Sequence, residues 1–377
     1  MHANIVLGKF MTFDFETCTL IVGGGPSGST LARKLSKNNI TNILIEKNDN
    51  YDKPCGGGIK SIVYEEFDIP KEIEFRRITK FDLFSPNKKV SVDLTRTPIS
   101  IVLRKDFDKL NRKLAQKAGT ELLFSRFLKF ERKDEFVYSY IKIDNETKII
   151  KSLYLVGADG VTSTVRKQLT QPTQEKILTI YSNIPNKDID KCEFYFGEKF
   201  APNEYAWVFP HGDKLSVGSV YKEGIDTETL FKNFKNKVAP NDNTKGKGFY
   251  IPTWNKNSLL YEDKVFLLGD AAGQVLPFSY EGIYYVMKSA LVLADAIIEN
   301  KPENYEINWN KKYKKRFKFF KTMQKIFLSS TFMTDKMIAF FQNEKLQQRG
   351  LQYWEGTAQP LSFIQTVLKI TKHLIKN

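Results

Sequence analysis

An α/β fold is predicted by three observations made in sequence order. An apolar, β-branched run at 17–22 is followed at once by a glycine-rich loop at 23–28. A helical pattern at 29–35 then leads to a second buried run at 42–45. Strand, tight loop, helix and strand form the opening unit of a Rossmann-like parallel sheet.

The later elements fit the same plan. Residues 104–117 read as an amphipathic helix with Phe107, Leu110, Leu114 and Ala115 on one face. Strand patterns follow at 121–124, 136–143 and 149–156. The stretch 178–221 is mostly strand-like, with Asn, Asp and Gly turns, and reads as a separate sheet. The first pattern returns at 264–270, and from Gly282 onward the chain is largely helical. The expected organisation is a discontinuous nucleotide-type domain (17–62, 98–172 and 258–300), an inserted β-rich domain (63–97 and 173–257) and a helical C-terminal region (301–377).

Composition narrows the function. The chain has 377 residues and a net charge of +15, enough for two cores or one large discontinuous unit. Cys18, Cys55 and Cys192 are far apart, as are His2, His211 and His373. Neither set has disulfide-framework or metal-ligand spacing, so no metal is expected, and the cysteine usage suits a reducing compartment. The positive charge suits an anionic membrane surface or an anionic substrate such as a diphosphate, or it is simply a solvated face. No apolar run is long enough to span a bilayer. The N-terminus lacks the charged region and apolar core of a signal peptide, so the expected location is cytoplasmic.

Three motifs carry chemistry. The first is GGGPSG, with Gly23, Gly25 and Gly28 in the G-x-G-x-x-G positions, between a strand and a helix. Its glycines permit a tight turn and close backbone approach to a pyrophosphate, which the helix N-terminus then faces. Glu46, about twenty residues on, ends the second strand, where a carboxylate binds a ribose diol. The second motif is Val156-Gly157-Ala158-Asp159-Gly160, expected to lead from a strand into a helix. The third is Gly269-Asp270-Ala271-Ala272-Gly273, at the end of another apolar strand. Asp270 there is either a ligand for ribityl hydroxyls or a helix cap.

In this order the motifs resemble the FAD-dependent oxidoreductases of the glutathione-reductase-like superfamily, in the branch shared with aromatic hydroxylases. Lys53-Pro54-Cys55-Gly56-Gly57-Gly58, Tyr205-Ala206-Trp207-Val208-Phe209-Pro210 and Glu281-Gly282-Ile283 narrow the resemblance to the geranylgeranyl reductase family, over roughly 18–296. The hydroxylases usually carry His after GDAA and Gly-x-Gly-x-Asn after the proline; this chain has Gly273 and 280–283 instead. It departs from the reductases at Pro277-Phe278-Ser279-Tyr280, where a small or Gly-rich turn is commoner. The last 80 or so residues lie outside the resemblance.

The resemblance implies FAD as cofactor and reduction of isolated C=C bonds in the prenyl chain of a diphosphate, membrane lipid or quinone. It implies a cofactor set of Gly23, Gly25, Pro26, Ser27, Gly28, Glu46, Lys47, Gly56, Gly57, Arg104, Asp159, Gly269, Asp270, Gly282 and Ile283. No second dinucleotide loop is present, so the external donor is NAD(P)H, a ferredoxin or a quinol. An aromatic-ring monooxygenase and a non-catalytic lipid- or quinone-binding flavoprotein are the alternatives.

An isolated alkene needs a hydride on one carbon and a proton on the other, in a dry apolar site. Gly282 opens the apolar helix 283–298, whose N-terminal amides suit negative charge on a reduced flavin. Cys55 is the candidate proton donor, or else a packed thiol, and the glycines after it let backbone approach a flat ring. Tyr205, Trp207 and Phe209 alternate at the period of a strand. With Pro210 they form either one wall of a substrate tunnel or part of a sheet core. Basic and aromatic residues interleave at 311–325, before an apolar stretch at 326–341, and the tail 361–376 has an amphipathic pattern. Both suit peripheral contact with an anionic membrane, or helices packed on the protein with a solvated basic face. No nucleic-acid module is present.

Overall fold

The computed structural model describes residues 12–185, 189–221 and 224–358. Its main sheet runs, edge to edge, Tyr261–Glu262, Val265–Leu267, Glu146–Gly157, Phe15–Val22, Asn42–Glu46 and Glu121–Phe124. The last five are parallel, with Leu20 between Ile43 and Leu155. Leu20, Ile21, Leu44 and Val156 are fully buried, as a sheet covered on both faces requires. The strands Arg126–Lys133 and Phe136–Ile143 extend Glu146–Gly157 as an antiparallel flap.

Eight helices are described: α1 Pro26–Ser36, α2 Ile62–Glu66, α3 Arg104–Lys117, α4 Thr227–Val238, α5 Ile283–Ile298, α6 Asn304–Phe327, α7 Thr331–Phe341 and α8 Glu344–Glu355. Helix α1 carries Leu31 and Leu35 into the core and packs between α3 and α5.

A seven-stranded sheet faces this unit, in the order Lys247–Pro252, Lys176–Pro185, Lys214–Tyr221, Ala201–His211, Cys192–Gly197, Lys80–Phe84 and Lys89–Asp93. Its one parallel pairing joins Cys192–Gly197 to Lys80–Phe84, with Phe194 beside Leu83. Three short strands, Gly58–Lys60, Ile99–Ile101 and Arg76–Ile78, link the two sheets.

Three expectations change. The motif at 156–160 is followed by a single 3-10 turn, Arg166–Gln168, and not by an α-helix. Asp159 Oδ2 accepts from the Thr164 and Val165 amides at 2.6 and 3.2 Å and closes the loop first. Helix α4 lies in a stretch read as β-rich; Asp226 caps it through the Thr229 amide, and Phe231 and Phe234 anchor it.

The third change concerns 311–341. The apolar stripe of α6 is inside the protein: Tyr305, Trp309, Phe317 and Phe320 join the main core. Met323 and Phe327 join a second core with Leu83 and Ile101. The apolar stretch 326–341 is interrupted where Ser330 caps α7 through the Met333 amide. The basic face of α6 reaches solvent together with Ile307, and 361–376 lies outside the described residues.

Phe317, fully buried against Trp254, Tyr285 and Trp309, anchors α6. Phe317→Ala is expected to cost about 3–5 kcal/mol, read as a lowered midpoint in chemical denaturation.

Candidate functional site

Parallel pairing brings the carboxyl ends of four strands to one edge of the main sheet, where ligands of such sheets bind. Gly23, Glu46, the 157–160 turn and Gly269 all lie there. Gly23 has φ +109°, and a Cβ on it would stand 2.4 Å from the Ala158 carbonyl oxygen. A Cβ on Gly28 would stand 1.9 Å from the Gly23 oxygen. Those two glycines are required by the fold itself. Gly25 differs: a Cβ there would meet nothing within 4 Å. It caps α1, with Pro26 at the first helical position and Ser27 and Gly28 completing the first turn. The amides of that turn lack intrahelical acceptors and present partial positive charge.

Glu46 supports the loop directly. Its Oε2 accepts from the Gly24 amide at 2.8 Å and its Oε1 from the Asn48 amide at 3.1 Å. Lys47, just beyond, is exposed. Asp159 is half-buried behind the loop, outside the lining of the main cavity, and desolvation raises its pKa. Its Oδ1 has no hydrogen-bond partner among the described residues. Gly269, at φ +63°, packs against Ser27, so the third motif sits on the first turn of α1. Asp270 is held by Lys53 at 2.5 Å. Gly282 precedes α5 and leads into Ile283.

Between this edge and the seven-stranded sheet lies a cavity of about 350 Å³, a size typical of small-molecule sites. Pro26, Cys55, Arg104, Asp270, Gly282 and Ile283 line one side. Tyr205, Trp207 and Phe209 line the other, sharing one face of their strand; Ala206 and Val208 face a separate core. Pro210 falls on the latter face and does not line the cavity, so its expected place in the substrate wall is corrected by strand alternation. The reading of the CGGG glycines also changes. A Cβ on Gly56 would stand 2.3 Å from the Phe209 ring, and one on Gly57 would stand 2.3 Å from the Val102 oxygen. The flat ring that Gly56 admits within the chain is therefore Phe209.

Cys55 is half-buried, and its Sγ accepts from the Gly57 amide at 3.3 Å. Arg104 faces it from α3 while chelating Asp108 through Nε at 3.0 Å and Nη2 at 2.6 Å. Burial disfavours the guanidinium charge, but Asp108 and Cys55 outweigh it and raise the pKa. Phe278 and Tyr280 also line the cavity, at φ +76° and +53°. These angles are uncommon for bulky side chains. The turn is tied down by Tyr205 Oη donating to the Ser279 carbonyl at 2.8 Å and Tyr280 Oη donating to Glu204 at 2.8 Å.

Sequence reasoning missed three supports. Arg112 donates to the Gly24 carbonyl at 3.1 Å and to Asp49 at 2.9 Å. Lys53 pairs with Asp270, and Lys60 pairs with Glu281 at 3.1 Å. Each joins residues distant in sequence, so no local spacing signals it.

An open helix N-terminus beside Gly25, a carboxylate at Glu46, a second helix N-terminus at Gly282 and a cavity between the sheets fit a long dinucleotide with a redox ring at one end. Fold and site define an FAD-dependent oxidoreductase. The FAD binding domain family matches residues 16–301. The chain is 30% identical to a chloroplastic geranylgeranyl diphosphate reductase of Nicotiana tabacum, over 87% of this chain and 78% of that protein. It is 32% identical to a digeranylgeranylglycerophospholipid reductase of Methanocaldococcus jannaschii, over 78% and 82%. The chain belongs to the geranylgeranyl reductase family. A geranylgeranyl bacteriochlorophyll reductase-like structure from Thermoplasma acidophilum shares the fold, with TM-score 0.77 and 22% identity over 90% of this chain and 96% of that one.

The glycine environments separate two effects. Gly25→Val is expected to purify without yellow colour and to melt where the FAD-free wild type melts, because its side chain enters only ligand space. Gly28→Val is expected to lower the melting temperature itself. Retained flavin absorbance in the Gly25 variant would contradict the assignment of the loop.

Proposed function

We propose that the protein saturates C=C bonds of a geranylgeranyl-type chain. The adenosine end of FAD would lie at Gly25 and Glu46, and its flavin end beside Asp270 and Gly282. The observation that carries this reading is the apolar cavity joining Cys55 and Gly282 to the aromatic face of Tyr205, Trp207 and Phe209. The Nicotiana and Methanocaldococcus relatives are named for substrates that share a geranylgeranyl chain and differ in head group. The chain is therefore the proposed recognition element.

Bound there in reduced form, FAD supplies the hydride. The aromatic wall lies against the prenyl chain and excludes water, which would otherwise compete for the proton. The Cys55 thiol gives its proton to the alkene carbon that does not receive the hydride. The Gly57 amide and the Arg104 guanidinium then stabilise the thiolate left behind. The N-terminal amides of α5 stabilise negative charge near Gly282. NAD(P)H, a ferredoxin or a quinol is the proposed source of electrons.

No described helix is long and apolar enough to cross a membrane. We propose that the exposed Lys311, Lys312, Lys314, Lys315 and Lys318 of α6, with Phe332 and Ile307 both more than 60% exposed, rest on an anionic membrane surface from which a lipid substrate enters.

Reduced protein incubated with geranylgeranyl diphosphate, or with the digeranylgeranyl phospholipid, is expected to add two hydrogens per bond, read by mass spectrometry. No gain with either substrate would refute the reading, and the better substrate identifies the head group. Cys55→Ala is expected to slow substrate-driven reoxidation of the flavin by roughly 10²–10⁴-fold with FAD content unchanged. An unaltered rate would leave Cys55 a packing residue.

A further inference from the structure

The Glu281 carboxyl and the Lys60 ammonium lie deep in the structure, 3 Å apart, and both line the cavity. Their side chains are only 8% and 3% exposed. Lys60 also donates to the Trp354 carbonyl at 2.7 Å and sits 4.7–4.9 Å from the ring centroids of Tyr284, Tyr285 and Trp354. The ammonium is thus well satisfied. The carboxylate is held less well: Lys60 and the Trp354 side chain approach it, but neither oxygen accepts a well-aligned hydrogen bond among the described residues. A buried carboxylate so poorly satisfied is costly to keep charged.

Its surroundings are defined on every side. Lys60 comes from the strand after the CGGG loop. Arg316 of α6 lies near both members of the pair and binds the Tyr353 and Ala358 carbonyls, fixing the end of α8. Glu355 of α8 lies near Lys60, and Tyr284 and Tyr285 of α5 face the carboxyl. Across Gly282, Asp270 is already neutralised by Lys53. Burial pushes the Glu281 pKa up, against the pull of Lys60, and pushes Lys60 down. The residue after Glu281 is Gly282, the cap of α5.

We propose that Glu281, with Lys60 as its counter-charge, is the proton store of the site, taking up one proton when the flavin is reduced and releasing it on reoxidation. The proposal rests on the placement of the flavin beside Gly282 given above. Reduction brings two electrons from the external donor; one proton goes to the flavin and the second to the Glu281 carboxylate, so charge balances. When the alkene is reduced, it receives the hydride at one carbon and a proton at the other. Once the product leaves and water re-enters the shared cavity, the proton held at Glu281 passes through that water to restore the Cys55 thiol, and the carboxylate re-forms beside Lys60. Glu281 is in this sense a proton-holding residue, and Lys60 a positioning residue that keeps the oxidised state ionised.

The test is the midpoint potential of the bound flavin as a function of pH, in the full-length holoprotein titrated with dithionite. For a two-electron couple, two coupled protons give a slope of roughly 60 mV per pH unit and one gives roughly 30 mV. The wild type is expected to show the steeper slope near neutrality and Glu281→Gln the shallower one. Lys60→Met is expected to show the shallower slope too, because Glu281 is then protonated in both states. The reduced-minus-oxidised infrared spectrum should gain a protonated-carboxyl band that Glu281→Gln removes. Equal slopes in wild type and Glu281→Gln, or an infrared band that persists in the variant, would overturn the proposal. A flavin absorption spectrum untouched by both Glu281→Gln and Asp270→Asn would instead show that the flavin does not lie beside Gly282, a failure of the earlier reading and not of proton coupling alone.

Discussion

Parallel strand pairing is the constraint on which the rest depends. Phe15–Val22 is hydrogen-bonded on both sides to parallel neighbours, so every connecting loop on the ligand edge must emerge at the same level. That alone places Gly23, Glu46, Gly157 and, one strand further, Gly269 beside one another, although they span most of the chain. The fit is tight. Gly23 lies against Ala158, Gly28 against Gly23, and Gly269 against Ser27, each too close for a side chain on the glycine. The loops hold one another in place, and the open side of Gly25 is left to whatever binds there.

The second sheet converts that edge into an enclosed site. Its strand Ala201–His211 sends alternate aromatic side chains toward the cavity, and Phe209 closes onto Gly56. Trp207 lies over Gly218 of the neighbouring strand, which has no side chain to block it. The C-terminal helices complete the enclosure: Met337, Phe341, Leu351 and Trp354 also line the cavity. The C-terminal region, which the sequence left as either membrane-contacting or packed on the protein, is, over its described part, a structural wall of the site.

Legibility in the sequence followed the range of the interaction. The strand–loop–helix unit at 15–36, the turn at Asp159, the turn at Asp270 and the entry to α5 at Gly282 are local patterns, and each is where its spacing put it. The aromatic alternation at 205–209 was also local, and strand periodicity alone gave its common face. Arg112 under Gly24, Lys53 on Asp270 and Lys60 on Glu281 were not legible, because an isolated basic residue gives no sign of a partner some 90 to 220 positions away. Helix α4 was obscured by the surrounding strand-like sequence. The missing helix after Asp159 reflects a carboxylate whose capping bonds are spent on a tighter turn. The C-terminal stripe read equally as membrane-facing or core-facing, and only the docking of Phe317 and Met323 decides it for α6.

The pairing of Lys80–Phe84 with Cys192–Gly197 also bears on how the chain reaches its native state. Contacts between segments so far apart in sequence carry a large loop-closure cost and form late. Leu83 waits for Phe194, and the intervening segment contributes its longest strand, Glu146–Gly157, to the other sheet. The main sheet is no more local, since Leu20 pairs with Leu155 across a still longer stretch of chain, so the two sheets are built from interleaved segments. The dinucleotide edge is complete only when Val265–Leu267 and Gly269 have been made, after the strands of the aromatic wall, so a cofactor meets the finished edge and that wall together.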